Sequence, residues 1–323
     1  MKYYSYFPGC SSSEGTAVAY GISTGAICGP LEIELLELED WNCCGTTPYS
    51  SIDELASVAV AARNLALAEQ TGLDLVTPCS ACYTSLNRAN SLIRKYSEFR
   101  EKVNECLASA GLEYNGTVRV RHLFEVIYND IGLDVVKSKV VNPLTGLKVA
   151  AYYGCQMVRT EPGFDNKYNP QSLDEFAVSL GAESTPFLQK DRCCGSSLVI
   201  PEAGIALGLI NKILESAASG GAECIVTVCP LCQTNLDAYQ PLAKSKFRAK
   251  YNLPILFFSQ LLGLALGVDS KLLALDKNIV SADKVLAPFI SKTAKGAKAP
   301  STAKSTPESE STSRTEALLK GRE

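Results

Sequence analysis

Among its 323 residues this chain has one histidine, one tryptophan and two methionines, and these scarcities narrow what it can do. With His122 alone, a site built from several imidazoles is excluded, and any histidine acid–base chemistry has a single residue to use. Neither sign of charge dominates. Thirty-one Lys and Arg stand against 34 Asp and Glu, for a formal net charge of -3, so neither nucleic acid nor an anionic membrane surface is an expected partner. A long hydrophobic run is also missing. The most apolar late segment, Pro254 to Val268, carries Ser259 and Gln260 and falls short of the roughly 20 residues that cross a bilayer. It reads as a core or interface helix, and no transmembrane segment is expected. The start, MKYYSYFPGC, has no apolar h-region or small-residue cleavage site, which leads to the expectation of a cytoplasmic protein whose membrane contacts, if any, run through partner subunits. The chain has no flavin or nucleotide fingerprint and no ferredoxin-type run of four cysteines.

Hydrophobic residues make up 46% of the chain, enough for real cores, and its length allows two domains and a tail. Cysteine is abundant. Ten of the 13 cysteines form one pattern written twice: Cys10, Cys43-Cys44 and Cys79-x-x-Cys82, then Cys155, Cys193-Cys194 and Cys229-x-x-Cys232. The interval from Cys43 to Cys79 equals that from Cys193 to Cys229, 36 residues. Both adjacent pairs run into glycine, Gly45 and Gly195. The closing motifs also agree outside their cysteines, with Val76, Thr77, Thr84 and Leu86 matching Val226, Thr227, Thr234 and Leu236. The chain is an internal duplication.

Each half alternates short β-rich runs with helical patterns, which predicts an α/β protein with mainly parallel sheets flanked by helices. In the first half strands are expected at Tyr3 to Phe7, Leu35 to Trp41 and Leu73 to Thr77, leading to Cys10, Cys43-Cys44 and Cys79. A helix from about Ile52 to Gln70 is expected to start with Ser51 and Glu54 as a capping box. The second half repeats the plan with strands at Lys148 to Tyr153, Glu183 to Leu188 and Cys224 to Val228, and a helix from near Pro201 to Gly220-Gly221. Tyr83 to Glu105 and Val118 to Asp130 read as helical. Because parallel strands end at one edge of a sheet, five sulfurs converge there in each half. Asn142-Pro143 marks the expected boundary, giving domains at 1–142 and 143–288. A disordered tail is expected over 289–323, where the composition turns to Ser, Thr, Lys, Glu, Ala and Pro.

Three chemistries use cysteines in such patterns, in a compartment where disulfides are not the default. A closed zinc tetrahedron takes four ligands and leaves one sulfur of each five unused. Thioredoxin-like exchange uses the Cys-x-x-Cys alone. An iron–sulfur cluster accounts for more of the cysteines, and two clusters suit a two-electron reaction, each supplying one electron.

At these residues the chain resembles the duplicated CCG-domain, cysteine-rich family, whose members include the B subunit of heterodisulfide reductase. The family motif Cys-x(31–39)-Cys-Cys-x(34–38)-Cys-x-x-Cys is matched in both halves. The resemblance implies two noncubane [4Fe-4S] clusters, one on Cys10, Cys43, Cys44, Cys79 and Cys82 and the other on Cys155, Cys193, Cys194, Cys229 and Cys232. It further implies an oxidoreductase acting on a sulfur group, the catalytic B-type component of a reductase complex. Its substrate would be a disulfide, the coenzyme M–coenzyme B heterodisulfide or that of a related thiol carrier. Its partners would be the small ferredoxin-like component and the flavin-containing component of that complex. The same domain also serves as the electron-transfer subunit of some succinate dehydrogenases and glycolate-oxidase-type enzymes.

Arg88, Arg159, Lys190 and Arg192 lie close in sequence to the cysteines and are candidates to bind an anionic substrate end. His122 is a secondary candidate for proton donation to a leaving thiolate, beside a structural role. Cys28, Cys106 and Cys224, outside the pattern, read as buried and inert. Trp41 reads as core or shielding. Gly9, Gly45, Gly154 and Gly195 adjoin the cysteines, where either a tight turn or a close backbone approach accounts for them.

Overall fold

Short runs rich in β-branched and aromatic residues alternate with Ala- and Leu-rich segments in both halves, and each half folds into the same four-stranded parallel sheet. The structure is a computed structural model that describes residues 1–46 and 49–293. The first half runs β1 (Lys2–Tyr6), α1 (Cys10–Ser13), α2 (Val18–Leu31), β2 (Ile33–Glu37), α3 (Tyr49–Ile52), α4 (Glu54–Glu69), β3 (Leu75–Thr77), α5 (Ser80–Lys95), α6 (Ser97–Ala108), β4 (Val120–His122) and α7 (Leu123–Glu125). A π-helical segment, Val126–Gly132, then leads into α8 (Leu133–Ser138). The second half runs β5 (Lys148–Tyr152), α9 (Gly154–Arg159), α10 (Ser172–Ser179), β6 (Glu183–Ser184), α11 (Ala203–Ser219), β7 (Cys224–Thr227), α12 (Pro230–Ala238), α13 (Gln240–Phe247), β8 (Ile255–Phe257), α14 (Phe258–Ala265) and α15 (Asp283–Thr293).

The strand orders are β2-β1-β3-β4 and β6-β5-β7-β8, all parallel. In each sheet the chain leaves its first strand to one side, then returns to the other, so the switch in direction falls between β1 and β3, and between β5 and β7. The loops leaving two such strands diverge and open a crevice at the sheet's C-terminal edge. That crevice is where Cys10 and Cys79 emerge in one half, and Cys155 and Cys229 in the other.

Both faces of both sheets are buried, but against different cores. Leu75 and Val120 face a core made mainly from the first half, and Ala150, Ile225 and Ile255 one made from the second. Their alternating neighbours, Tyr4 and Val76 on one sheet and Val149, Val226 and Leu256 on the other, meet in a third core common to both halves. Tyr20 stacks on Phe257 there with centroids 4.2 Å apart, Ser23 and Ser259 share a hydrogen bond of 2.7 Å, and Phe124, Phe176 and Phe258 pack edge to face. Helix α14 is buried on every side, which explains why its sequence is apolar nearly all round. The 142/143 junction is therefore a boundary between repeats, with one core running across it.

Several local expectations are corrected. Each sheet has a fourth strand, β4 or β8, hidden inside segments that read as helical, 118–130 and 254–268. β4 is held by a buried cation: Arg121 donates to Glu125 at 3.0 Å and to both oxygens of Asp130 at 2.6 and 2.8 Å. The long helix from Tyr83 breaks at Tyr96, whose extended backbone separates α5 from α6. Asp53, accepting from the Ala56 amide, caps α4 in place of the Ser51 box. β2 and β6 stop well before the adjacent cysteine pairs. The second boundary, 288, falls inside α15, and the expected tail from 294 onward lies outside the described residues.

Phe258→Ala removes a ring at the centre of the common core and should lower stability by about 3–5 kcal/mol. Since both halves share that core, denaturation followed by far-UV circular dichroism and by Trp41 fluorescence should give coincident transitions; separate transitions would show independent domains.

Candidate functional site

The two strand ends at each crevice deliver their cysteines in the same way. After β1, Phe7-Pro8-Gly9 turns the chain into Cys10 at the start of α1; after β3, Cys79 stands at the N-cap of α5 with Cys82 in its first turn. The adjacent pairs arrive on loops, and these loops are tied down. Asn64 on α4 accepts from the Asn42 amide and donates to the Asn42 carbonyl. The Cys44 carbonyl accepts from Ser85 at 2.8 Å, and the Cys194 carbonyl from Asn235, at the matching position of α12, at 2.6 Å.

All ten pattern cysteines gather at these two edges. Cys44 and Cys82 lie 3.4 Å apart, and Cys43 and Cys44, and Cys79 and Cys82, are near enough to shift one another's protonation. In the second set Cys155 pairs with Cys193, Cys194 with Cys232, and Cys229 with Cys232. The two sets face each other at Cys79 and Cys229, which are near enough that each shifts the other's protonation, Cys79 raised and Cys229 lowered. Cys44, Cys79, Cys82, Cys194, Cys229 and Cys232 are buried, Cys155 is half-buried, and Cys10, Cys43 and Cys193 are exposed. Each set thus has an outer rim and an inner floor, and the floors face each other.

Proton sharing polarises these pairs. The hydrogen bond from Cys43, aided by Cys82, holds Cys44 well below the usual thiol range, while Cys43 as donor is pushed up. Cys193 is lowered to about 6 by the hydrogen bond from Cys155, with Arg159 assisting, and Cys155 is raised. Thiolates are the metal-binding form of cysteine, so both sets contain good donors near neutral pH. Among the described residues no three His, Cys, Asp or Glu side chains are arranged around one point as ligands of a single ion.

Two glycines are required by this packing. Gly9 and Gly154 have φ of +72° and +70°, and a Cβ on either would lie 3.0 Å from the sulfur of Cys82 or Cys232. Turn and close approach therefore coincide.

The other candidates divide. Arg88 and Arg159 share a cavity of about 310 Å³ with Thr84, Thr160 and Glu161; Arg88 is also paired with Glu54. Lys190 instead pairs with Asp174 at 3.2 Å and caps the ring of Tyr153, and exposed Arg192 reaches its neighbour Asp191, at 3.6 Å. His122 is buried. Its Nδ1 accepts from the Phe124 amide at 3.1 Å, which leaves the proton on Nε2, 3.4 Å from Ser80 Oγ. Trp41 packs edge-on against Phe7 and donates to Glu37. Cys224 is buried and Cys28 nearly so, both pushed up to about 12 by burial, whereas Cys106 is exposed on α6, contrary to expectation.

The sequence pattern does not reveal the residues that join the halves. Thr84 bonds Thr160 at 2.6 Å, and its repeat equivalent Thr234 bonds Thr16 at 3.1 Å. Tyr20 and Ser80 both donate to the Val228 carbonyl, one residue before Cys229, and Tyr83 donates to that of Pro162. The matched threonines are visible in both motifs, but their partners come from the opposite repeat.

These features define a duplicated, cysteine-rich α/β protein. The CCG cysteine-rich domain matches residues 4–87 and again residues 149–237. The 8-methylmenaquinol:fumarate reductase membrane anchor subunit of Wolinella succinogenes is 40% identical, over 88% of this chain and 99% of that one. The B subunit of the ferredoxin/F420H2-dependent CoB-CoM heterodisulfide reductase of Methanosarcina acetivorans is 34% identical, over 80% of this chain and 87% of its own length. A protein of Archaeoglobus profundus named as like the B subunit of heterodisulfide reductase is also 34% identical, over 85% and 94%. In fold, a crystal structure of a hypothetical protein from Helicobacter pylori superposes with a TM-score of 0.71 at 17% identity, covering 87% of this chain, which spans 52% of that one. The chain belongs to the CCG cysteine-rich domain family, in two copies.

Burial lowers the pKa of His122 from 6.5 to about 4, so it is neutral in the native state while the unfolded chain protonates it near its ordinary value. Between those values the unfolded state binds more protons, so this contribution to stability is complete above about pH 6.5 and is lost as pH falls towards 4. The loss amounts to about 3 kcal/mol. Chemical denaturation across that range should show this slope, and His122→Gln should flatten it.

Proposed function

We propose that this chain is the B-type subunit of a heterodisulfide reductase-like complex and reduces a disulfide with electrons supplied by partner subunits. Two noncubane [4Fe-4S] clusters would be held, one by Cys10, Cys43, Cys44, Cys79 and Cys82, the other by Cys155, Cys193, Cys194, Cys229 and Cys232. The donor chemistry fits such a group: five thiols per set, several already polarised towards thiolate, beside glycines that admit close approach. When bound, each cluster supplies one-electron chemistry, and a disulfide needs two electrons and two protons to become two thiols.

The observation that carries this reading is the nearness of Cys79 and Cys229, whose mutual influence on protonation puts the two sets side by side. Paired one-electron centres need such proximity. Around the two sets the chain's own residues hold the geometry: Thr84 and Thr234 fix the spacing of the halves, and Arg88 and Arg159 offer cationic partners to an anionic substrate end. The candidate disulfide is the coenzyme M–coenzyme B heterodisulfide or that of a related thiol carrier, and the candidate partners are the ferredoxin-like and flavin-containing components of such a complex. Relatives named as the B subunit of heterodisulfide reductase, 34% identical over most of the chain, support this assignment.

A second reading has its own support. The Wolinella relative matches along 99% of its length, and the inner sulfurs here are buried, as suits an electron relay. In that reading the chain is the iron–sulfur electron-transfer subunit of a succinate dehydrogenase or glycolate-oxidase-type dehydrogenase. No helix among the described residues is long and apolar enough to cross a membrane, so attachment to one would run through other contacts.

Purified without oxygen, the chain should contain about eight irons and eight acid-labile sulfides, as two four-iron clusters require. Cys44→Ser and Cys194→Ser should each halve that content and abolish disulfide reduction in the assembled complex, whereas Cys106→Ser should leave both unchanged. Stoichiometric zinc without sulfide would overturn both readings. Full cluster content and electron transfer to a dehydrogenase partner, with no disulfide reduced, would select the second.

A further inference from the structure

A cavity of about 550 Å³ lies along the seam between the repeats and is lined by none of the ten cysteines. One wall is a single face of α5, where Tyr83, Asn87, Asn90 and Arg94 recur at helical spacing; the opposite wall is Arg119, Val120 and the first turns of the π-helical region. Its lip, 162–164, comes from the other repeat. A volume of this size suits a small organic ligand.

The floor is polar although it is buried. Asn90 is already engaged by Val118 and Tyr114, but Asn87 uses one amide hydrogen, on the Tyr83 carbonyl, among the described residues. Its remaining donor and its acceptor are left for a ligand. Glu125 is the carboxylate in the cavity lining, and buried Arg121 already counters it at 3.0 Å.

The rim is cationic. Arg94 and Lys95 stand on one side and Arg119 on the other. Arg94 spends its Nε on the Gly116 carbonyl, which leaves the two terminal nitrogens. Arg119 is largely exposed and makes only long contacts, 3.9 Å to Asp74, a pair that contributes little, and 3.5 Å to buried Glu125, which Arg121 already pairs at 3.0 Å. They cost little to exchange for a ligand.

We propose that this cavity binds a small organic anion with two or more acidic groups, carboxylate or phosphate, and a hydroxyl or amide that reaches Asn87. One acidic group meets Arg94 and Lys95 and another meets Arg119, because the cations stand on opposite walls. The site does not depend on cluster content. Since its lip belongs to the second repeat, a bound ligand ties the repeats together and stabilises the native chain by mass action.

Calorimetric titration of the full chain, purified anaerobically with whatever iron it carries, tests this with citrate and, separately, inorganic pyrophosphate. At least one should bind one-to-one, weakening as salt is raised. Tighter citrate identifies a carboxylate ligand, tighter pyrophosphate a phosphate. Arg119→Gln and Lys95→Gln should each weaken binding about tenfold, the effect of losing one charge-assisted hydrogen bond. Lys102→Gln, an equal charge change on exposed α6, should not. No binding of either probe, or equal weakening by Lys102→Gln, would overturn the proposal. Iron and sulfide measured on the same samples keep this outcome separate from that of the cluster reading.

Discussion

The common core between the two sheets is the constraint from which the rest follows. Each repeat has a parallel sheet with two apolar faces, and one face of each is satisfied within its own half. The other faces, with Tyr4 and Val76 on one sheet and Val149 and Val226 on the other, are covered only by bringing the repeats together. Once they are joined, the crevice at the C-terminal edge of one sheet meets that of the other. The nearness of Cys79 and Cys229 is a geometric result of burying hydrocarbon elsewhere.

Polar contacts then set the register of the seam. Thr84 with Thr160 and Thr234 with Thr16 are near-twofold copies of one contact. The two donors on the Val228 carbonyl hold the strand end that presents Cys229. His122 belongs to this group: it caps the turn after β4, contacts Ser80, and stays neutral because the site is too buried to accept a charge. The repeats are not identical, however. Ser80 and Ala81 in the first become Pro230 and Leu231 in the second, and Arg192 directly precedes Cys193 where Asn42 precedes Cys43. Two cysteine sets of one construction therefore sit in different electrostatic surroundings.

Much of the fold and site is legible in the sequence because the duplication repeats its own punctuation. The spacing from Cys43 to Cys79 recurs from Cys193 to Cys229, and the strands leading to Cys10, Cys79, Cys155 and Cys229 fall within a few residues of where the pattern puts them. What misleads is local and has local causes. β4 and β8 are three residues each and run directly into helices, so periodicity averages them away. The pattern puts the cysteine pairs at strand ends, whereas they ride on loops held by Asn64, Ser85 and Asn235, side chains distant in sequence. Nearness to cysteines in the chain groups Lys190 and Arg192 with Arg88 and Arg159, but Lys190 and Arg192 turn to other partners.

The sequence by itself determined the α/β class, the twofold repetition, the identity of the ten clustered cysteines and the glycines beside them, since these depend on spacing and on residue chemistry that survives any arrangement of the halves. Only the tertiary structure decided that the repeats share a core, that their cysteine sets come near each other at Cys79 and Cys229, and that a cationic cavity opens along the seam. Each of those depends on which side chains from the two repeats meet, and a linear pattern contains no term for contacts between residues roughly 150 positions apart.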